Sequence, residues 1–377
     1  MKIPLTIPSF DNLEEKAVAE VLRSGWVAQG PKVIEFEEMV VDYTGAKYAA
    51  ATTSATTALF LSLYILGIGP GDEVIVPSFT FIATVNIVMH TGAKPVFVDI
   101  DAKTYNIDSS KIESAITPRT KAIMPVDQVG LPSDLEKIIK TARKHKLFVV
   151  EDAACGLGSV YKGRKLGSYP GIEMVCLSFH PRKSITTGEG GMILTNNKIY
   201  YEKVKTLRHH GMSVSDLVRH NAKKVIHESY PEVGYNFRMS DIQAAVGVEQ
   251  LKKLSKFLKI RRKLAERYSK SFENSKNVIP PFVPKDCKPN WQSYIVKLRK
   301  NKKITRNSLM QKLLDDGIAT RRGVMASHLE PPYRKLYPNL SLPITEEAAE
   351  NTIALPLYTD MTDKEQKYVI EKVLKYT

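Results

Sequence analysis

Short runs rich in Val and Ile alternate, from about residue 45 onward, with stretches whose apolar residues recur every three or four positions. The runs predict β-strands at 73–77, 94–99, 122–126, 147–152, 174–179 and 192–195, because branched side chains suit a pleated surface. The stretches between them predict helices at 56–66, 83–90 and 133–144, and a further helix follows at 240–258. Strands that alternate with helices build crossover units, so the fold class is α/β with a mainly parallel central sheet flanked by helices. Ligands of such sheets bind beyond the carboxyl ends of the strands. Ser54, Phe81, Asp127, Asp152 and Ser178 all fall at predicted element ends that can face that edge.

A Pro- and Lys-rich stretch at 278–285 breaks the pattern. Beyond it, a strand at 291–298, a helix at 305–316 and a terminal helix at 363–376 read as a smaller α+β domain. The 377 residues exceed the usual domain size of about 100–200 residues. We therefore expect a large domain over 1–250 and a small C-terminal domain over 251–377. No internal repeat is present, which removes solenoid architectures.

Composition narrows the setting. Hydrophobic content of 43% and charged content of 25% are those of a soluble globular protein, and no apolar run approaches the roughly 18 residues that span a bilayer. Pro4 and Pro8 interrupt the start, which lacks the apolar core of a secretion signal. Cys155, Cys176 and Cys287 are odd in number and widely spaced, which argues against a disulfide framework and offers no metal-ligand pattern. These features point to a cytoplasmic protein with neither a membrane nor a metal.

The net charge of +15 admits a nucleic acid, an anionic membrane or an anionic small molecule as partner. Much of the excess gathers at 252–263, where cations fill the positions left by an apolar helical stripe and read as a solvated helix face. No aromatic interleaving or zinc-finger spacing accompanies the charge, so nucleic acid is not the expected partner.

Lys183 sits in Ser178-Phe179-His180-Pro181-Arg182-Lys183, ahead of the turn Gly188-Glu189-Gly190-Gly191 and after an acidic strand end at Glu151-Asp152. A lysine forms an imine with the aldehyde of pyridoxal 5'-phosphate (PLP), and a carboxylate facing the pyridine nitrogen keeps that nitrogen protonated so that the ring accepts electrons. The pair therefore points to a PLP site. Ser54, Ala55 and Thr56 stand at the start of an apolar helical run, where free N–H groups bind phosphate, although Ser and Thr are also ordinary helix caps. Ser178 adds a hydroxyl at a strand end. Phe81 can lie against a planar ring, or it can join Phe79 in the core. Histidine titrates in the range of an acid or base, which makes His180 a candidate on the substrate side.

These segments, together with 77–84, Glu151-Asp152-Ala153-Ala154 and 234–241, resemble the DegT/DnrJ-type sugar aminotransferases from about residue 24 to residue 251. The resemblance implies a fold type I PLP enzyme that works as a homodimer with its active site at the subunit boundary. It implies that Lys183 holds the cofactor and carries protons, that Asp152 pairs with the ring nitrogen, and that Phe81 stacks on the ring. Ala55, Thr56 and Ser178 would hold the phosphate, and Asn236 looks like the asparagine that reaches it from the neighbouring subunit. The implied substrate is a nucleotide-linked keto-deoxysugar, with glutamate giving the amino group.

The chain departs from that pattern at Cys155, where Gln or His is frequent near the cofactor hydroxyl, and at Ala55, where Gly is frequent. Asp127 takes a place often held by histidine, which bears on how the sugar is held. Substrate-side candidates are His180, Asp127, Arg208, Arg321 and His328, with the arginines suited to a nucleotide diphosphate. Two other readings stay open. One is a fold type I enzyme acting on a small amino acid, for which Arg321 or Arg322 would clamp a carboxylate. The other is a regulatory or nucleic-acid-binding protein without activity, which gives no reason to keep Lys183 and Asp152 together.

Overall fold

The computed structural model describes residues 1–214, 216–220, 222–299 and 304–377. In chain order its strands are β1 Tyr48–Thr52, β2 Glu73–Pro77, β3 Lys94–Val98, β4 Thr120–Ile123, β5 Phe148–Asp152, β6 Val160–Tyr161, β7 Arg164–Lys165, β8 Met174–Ser178 and β9 Gly191–Thr195. They continue with β10 Val278–Ile279, β11 Cys287–Lys288, β12 Tyr294–Leu298, β13 Arg321–Arg322 and β14 Thr352–Leu355. Among the described residues the main sheet has seven strands in the order β1-β9-β8-β5-β4-β2-β3. The pairs from β8 to β3 are parallel, and β9 is the reversed strand, antiparallel to both β8 and β1.

Alternate residues of each strand serve opposite faces, as the pleat requires. Ile75 and Val149 point into one cluster with helices Pro31–Thr44, Leu135–His145 and the first half of Asp241–Phe272, through Phe36, Ile138 and Val248. Val74, Val76 and Val150 point into the other, with helices Ala55–Ile65, Ile82–His90 and Lys198–Leu207, through Leu61, Val88 and Leu207. Each fully buried Val, Ile or Leu contributes about 1.5–3 kcal/mol of transfer free energy, against the entropy of ordering it. Strands apolar on both faces need helices on both, which explains why β2, β8 and β9 read as continuous apolar runs.

The second sheet, β10-β12-β14-β13, is antiparallel. Helices Arg306–Asp315 and Asp363–Tyr376 supply Leu309, Leu313, Val369 and Val373 to its core. Ile3 joins this core too, and its N–H donates to the Gly317 carbonyl at 2.8 Å. The helix Asp241–Phe272 runs without a break through residues 250 and 251 and extends beyond the expected 258. Lys252, Lys256, Lys259, Lys263 and Lys270 lie on the outer face, while Leu264, Ala265, Tyr268 and Phe272 continue the apolar stripe into the second core. Charge density therefore did not mark its end. Arg261, on the same helix, is buried, and its guanidinium donates to the carbonyls of Trp291, Gln292 and Leu357 at 3.2, 3.3 and 3.4 Å.

Candidate active site

The carboxyl ends of β1, β2, β5 and β8 open on one cavity of about 380 Å³. Ser54, Ala55, Thr56, Phe81, Asp152, Cys155, Ser178, His180, Lys183 and Arg321 all line it. It also takes in Thr84, Gln128, Arg182, Glu189 and Gln292, none of which was singled out from the sequence. A larger cavity of about 720 Å³ lies between helices Pro31–Thr44 and Lys198–Leu207, lined by Glu37, Tyr48, Tyr201 and Arg208. Its buried acid, Glu37, is already paired with Arg208, so the chemistry belongs to the smaller one.

Lys183 closes a turn after β8, its N–H donating to the His180 carbonyl at 2.8 Å, and its Nζ lies 3.1 Å from Cys155 Sγ. Asp152 ends β5 and is 4% exposed. Its Oδ2 accepts from Thr84 Oγ1 at 2.7 Å and its Oδ1 from the Ala154 N–H at 3.1 Å. Burial pushes this carboxyl above its ordinary range, opposed by those two hydrogen bonds and the nearby Lys183 charge. A cation placed against Asp152 would relieve that cost.

Ser54 caps helix Ala55–Ile65, its Oγ accepting from the Thr57 N–H at 3.2 Å while Thr57 Oγ1 accepts from the Ser54 N–H at 3.1 Å. The N–H groups of Ala55 and Thr56, in the first turn, have no carbonyl within the helix to bond, which leaves them for an anion. The cap turn lies hard against β9. A Cβ on Gly191 would stand 2.3 Å from the Ser54 carbonyl carbon, so only glycine lets the strand pass there. Ser178, its pairing partner across β8 and β9, faces the same corner.

Phe79 and Phe81 separate cleanly. Phe79 is fully buried, whereas Phe81 is 59% exposed at the cavity wall, an uncovered aromatic face. His180 Nδ1 accepts from the Arg182 N–H at 3.2 Å, its Nε2 lies 4.0 Å from Glu189 Oε1, and burial lowers its pKa. Gln292 Nε2 donates to the Arg182 carbonyl at 2.6 Å, and Asn290 Nδ2 donates to the Cys155 and Leu157 carbonyls at 2.6 and 2.8 Å. Between them Trp291 has φ of +56°, an unfavourable value that these bonds and the Arg261 contacts hold in place. The segment leading into β12 thus grips both turns that carry Lys183 and Cys155.

Four expected residues lie outside the cavity lining. Arg208 is buried and bonds Glu37 Oε1 at 2.5 Å and the Ala51 carbonyl at 2.6 Å, because its position at the end of helix Lys198–Leu207 aims it behind β1. Asp127 is fully buried, with Oδ1 accepting from the Ser133 N–H at 2.8 Å. His328 is buried between Ser78 Oγ at 2.7 Å and Glu346 Oε1 at 3.2 Å. Asn236 is exposed, on a segment tied to Leu207, Arg208 and Thr53 by the backbone groups of Tyr235 and Phe237.

A lysine and a buried acid at the carboxyl edge of a mainly parallel α/β sheet, beside a helix N-terminus and an uncovered aromatic, define a PLP-dependent enzyme of fold type I, and the residues present fit that cofactor. The chain belongs to the DegT/DnrJ/EryC1/StrS aminotransferase family, which it matches over residues 8–374. It is 40% identical over 375 residues to the spore coat polysaccharide biosynthesis protein SpsC of Bacillus subtilis, covering 98% of this chain and 96% of that one. It is 38% identical over 371 residues to the GDP-perosamine synthase of Caulobacter vibrioides, covering 98% and 96%. Among solved structures, Spr1654 of Streptococcus pneumoniae, assigned to the sugar aminotransferases, superimposes in its PMP form with a TM-score of 0.93 at 31% identity, covering 100% of this chain and 99% of that one. The same protein has been solved in its PLP form.

Proposed function

We propose that this chain transfers an amino group from glutamate to a nucleotide-linked keto-deoxysugar, giving an amino sugar for a polysaccharide, glycan or secondary metabolite. The observation that carries the reading is the shared cavity of Lys183 and Asp152 at the carboxyl edge of the sheet. The relatives named above act in the same direction, one as a GDP-perosamine synthase and one in polysaccharide biosynthesis.

When bound, PLP supplies an aldehyde that takes and returns the amino group and a ring that stores the electron pair. Lys183 Nζ would hold the aldehyde, and its amine would move a proton at the donor α-carbon and, in the return half, at the sugar carbon. Asp152, steadied by Thr84 and Ala154, would pair with the ring nitrogen and keep it protonated. Phe81 would stack on the ring, and Ser54, Ala55, Thr56 and Ser178 would take the phosphate at the helix start. Cys155 Sγ, 3.1 Å from Lys183 Nζ, would face the cofactor hydroxyl. His180 and Arg321 serve the substrate side of the cavity.

Asn236 reaches the phosphate of a second copy in a homodimer. Its exposure supports this, as do Tyr230, Val225 and Val233 on the same segment, which are 56%, 85% and 83% exposed and unusual for a solvated surface. Residues 1–250 form the cofactor domain and 251–377 the small domain, with helix Asp241–Phe272 as their joint. All three thiols are free, in keeping with the cytoplasm, and among the described residues no helix is long and apolar enough to cross a membrane. Two measurements test the reading. Purified protein with PLP should show a visible absorption band, lost in Lys183→Ala. Incubation with glutamate and a panel of nucleotide keto-sugars, read by mass, should yield one amino sugar; a colourless, inert protein would refute the proposal.

A further inference from the structure

Arg261 is 2% exposed, on the helix Asp241–Phe272 that contributes to both large cores, and it does not line the cavity. Among the described residues no carboxylate answers its charge: burial is the single cause that lowers its pKa, to about 10, and its Nε has no hydrogen-bond partner. A guanidinium buried without an acid is expensive to desolvate. Offsetting that cost falls to backbone, the carbonyls of Trp291, Gln292 and Leu357 that converge on its Nη1 at 3.2, 3.3 and 3.4 Å.

The carbonyls it gathers belong to the segment that reaches the active site. Trp291 sits at φ +56°, an unfavourable conformation for so bulky a residue, and the residues on either side of it hold different turns. Asn290 Nδ2 donates to the Cys155 and Leu157 carbonyls, while its Oδ1 accepts from the Gln292 N–H at 2.8 Å. Gln292 Nε2 donates to the Arg182 carbonyl at 2.6 Å, and Ser293 Oγ, donating to Gln292 Oε1 at 3.0 Å, fixes the way that amide faces. Residues 290–292 therefore set both sides of the 3.1 Å gap between Lys183 Nζ and Cys155 Sγ. Resting on the transamination reading above, we propose that Arg261 is a positioning residue for Lys183, acting through Trp291 and Gln292 on the two turns that hold Lys183 and Cys155. It touches neither substrate nor cofactor. Its effect is on where the lysine amine stands, and a misplacement of about 1 Å costs a reacting group roughly 100-fold in rate.

Two variants and two measurements test this. Arg261→Met keeps the stem and removes the donors, whereas Arg261→Lys returns one cation to the carbonyls. In the cofactor-free protein, hydrogen exchange read by mass spectrometry should quicken about 10-fold in Arg261→Met across residues 179–187, while exchange in β2 stays within about 2-fold. The reporters there are the Lys183 and Thr187 N–H groups, which donate to the His180 and Phe179 carbonyls at 2.8 and 3.0 Å. Arg261→Lys should recover part of that protection. With PLP loaded, single-turnover loss of the visible band at saturating L-glutamate should slow by roughly 10- to 100-fold in Arg261→Met, and the half-saturating glutamate should move by less than about 3-fold. An even rise in exchange over both segments would overturn the proposal and leave Arg261 with stability alone; an unchanged limiting rate would overturn it as well. Should Arg261→Met not fold, Gln292→Glu carries the same measurements, since it keeps the shape but cannot donate to the Arg182 carbonyl. A wild type that never consumes glutamate would refute the transamination, and the exchange pattern would still decide whether Arg261 holds the Lys183 turn.

Discussion

Lys183 Nζ and Cys155 Sγ stand 3.1 Å apart, on turns that follow β8 and β5 and that Gln292 and Asn290 hold from the segment leading into β12. Cys155 is partly exposed to the cavity, whereas Cys176 and Cys287 are buried, and burial pushes the Cys176 thiol far up and the Cys287 thiol to about 12. Only thiolate reacts with alkylating agents. Iodoacetamide should therefore label Cys155 ahead of the other two in the cofactor-free protein, and PLP should suppress that labelling. Peptide mass spectrometry reads both effects, and equal labelling with and without PLP would place Cys155 outside the cofactor's reach.

Thr84 Oγ1 is the side-chain donor to Asp152, at 2.7 Å, and it is itself paired with Thr80 Oγ1 at 2.9 Å. Valine in its place keeps the shape and removes the hydroxyl, leaving a buried carboxylate oxygen without that partner. Hydrogen bonds to charged groups are worth about 1.5–3 kcal/mol, so Thr84→Val should weaken PLP binding by roughly 10- to 100-fold. Titrating the visible band with PLP measures this. An unchanged affinity would mean that Asp152 is positioned by its backbone alone.

The parallel core was legible because its strands are Val- and Ile-rich and their ends carry the chemistry: Glu73–Pro77 and the helix Asp363–Tyr376 fall on the predicted residues. β1 was not, since Tyr48–Thr52 is built of alanines, whose pattern says little about strand or helix. Lys183, Asp152 and the helix start at Ser54 were readable from residue type and order. Arg182, Thr84 and Gln292 were not, because their part depends on which way a side chain leaves a turn or a helix; the one available signal was the position of Arg182 beside Lys183. Arg208 shows the converse. An arginine suited to phosphate is, in sequence, indistinguishable from one spent on a buried glutamate.

That glutamate pair should matter for stability rather than chemistry. Arg208 and Glu37 side chains are 6% and 9% exposed and also bond the backbone of Ala51 from both sides, through its carbonyl at 2.6 Å and its N–H at 2.8 Å. Removing one member of such a pair strands the other charge and costs about 3–5 kcal/mol. Arg208→Met should lower the urea midpoint accordingly while the PLP band persists, and adding Glu37→Met should restore part of the loss. Normal stability with a raised KM for the sugar would instead return Arg208 to the substrate.

Asp127 and Glu151 form a second buried pair, of two acids, beneath Asp152. Both are fully buried, and Asp127 Oδ2 and both Glu151 oxygens have no hydrogen-bond donor among the described residues. Burial, with the Asp152 charge, pushes Asp127 up to about 7, and burial with the Asp127 charge pushes Glu151 well above its usual range. Two carboxyls this close share a proton instead of both ionising. The native state therefore binds protons more tightly than the unfolded chain, whose carboxyls titrate near 4. Its stabilising effect is complete below that unfolded value and is lost as pH rises through the native one, by at most about 4 kcal/mol for one proton. Asp127→Asn supplies an amide donor to Glu151 and removes the shared proton from this linkage. Between pH 5 and pH 8, wild-type thermal stability should fall more steeply than that of Asp127→Asn, by a few degrees on the order expected for a chain of this size. Parallel profiles for the two proteins would show that Asp127 and Glu151 do not hold a proton in common.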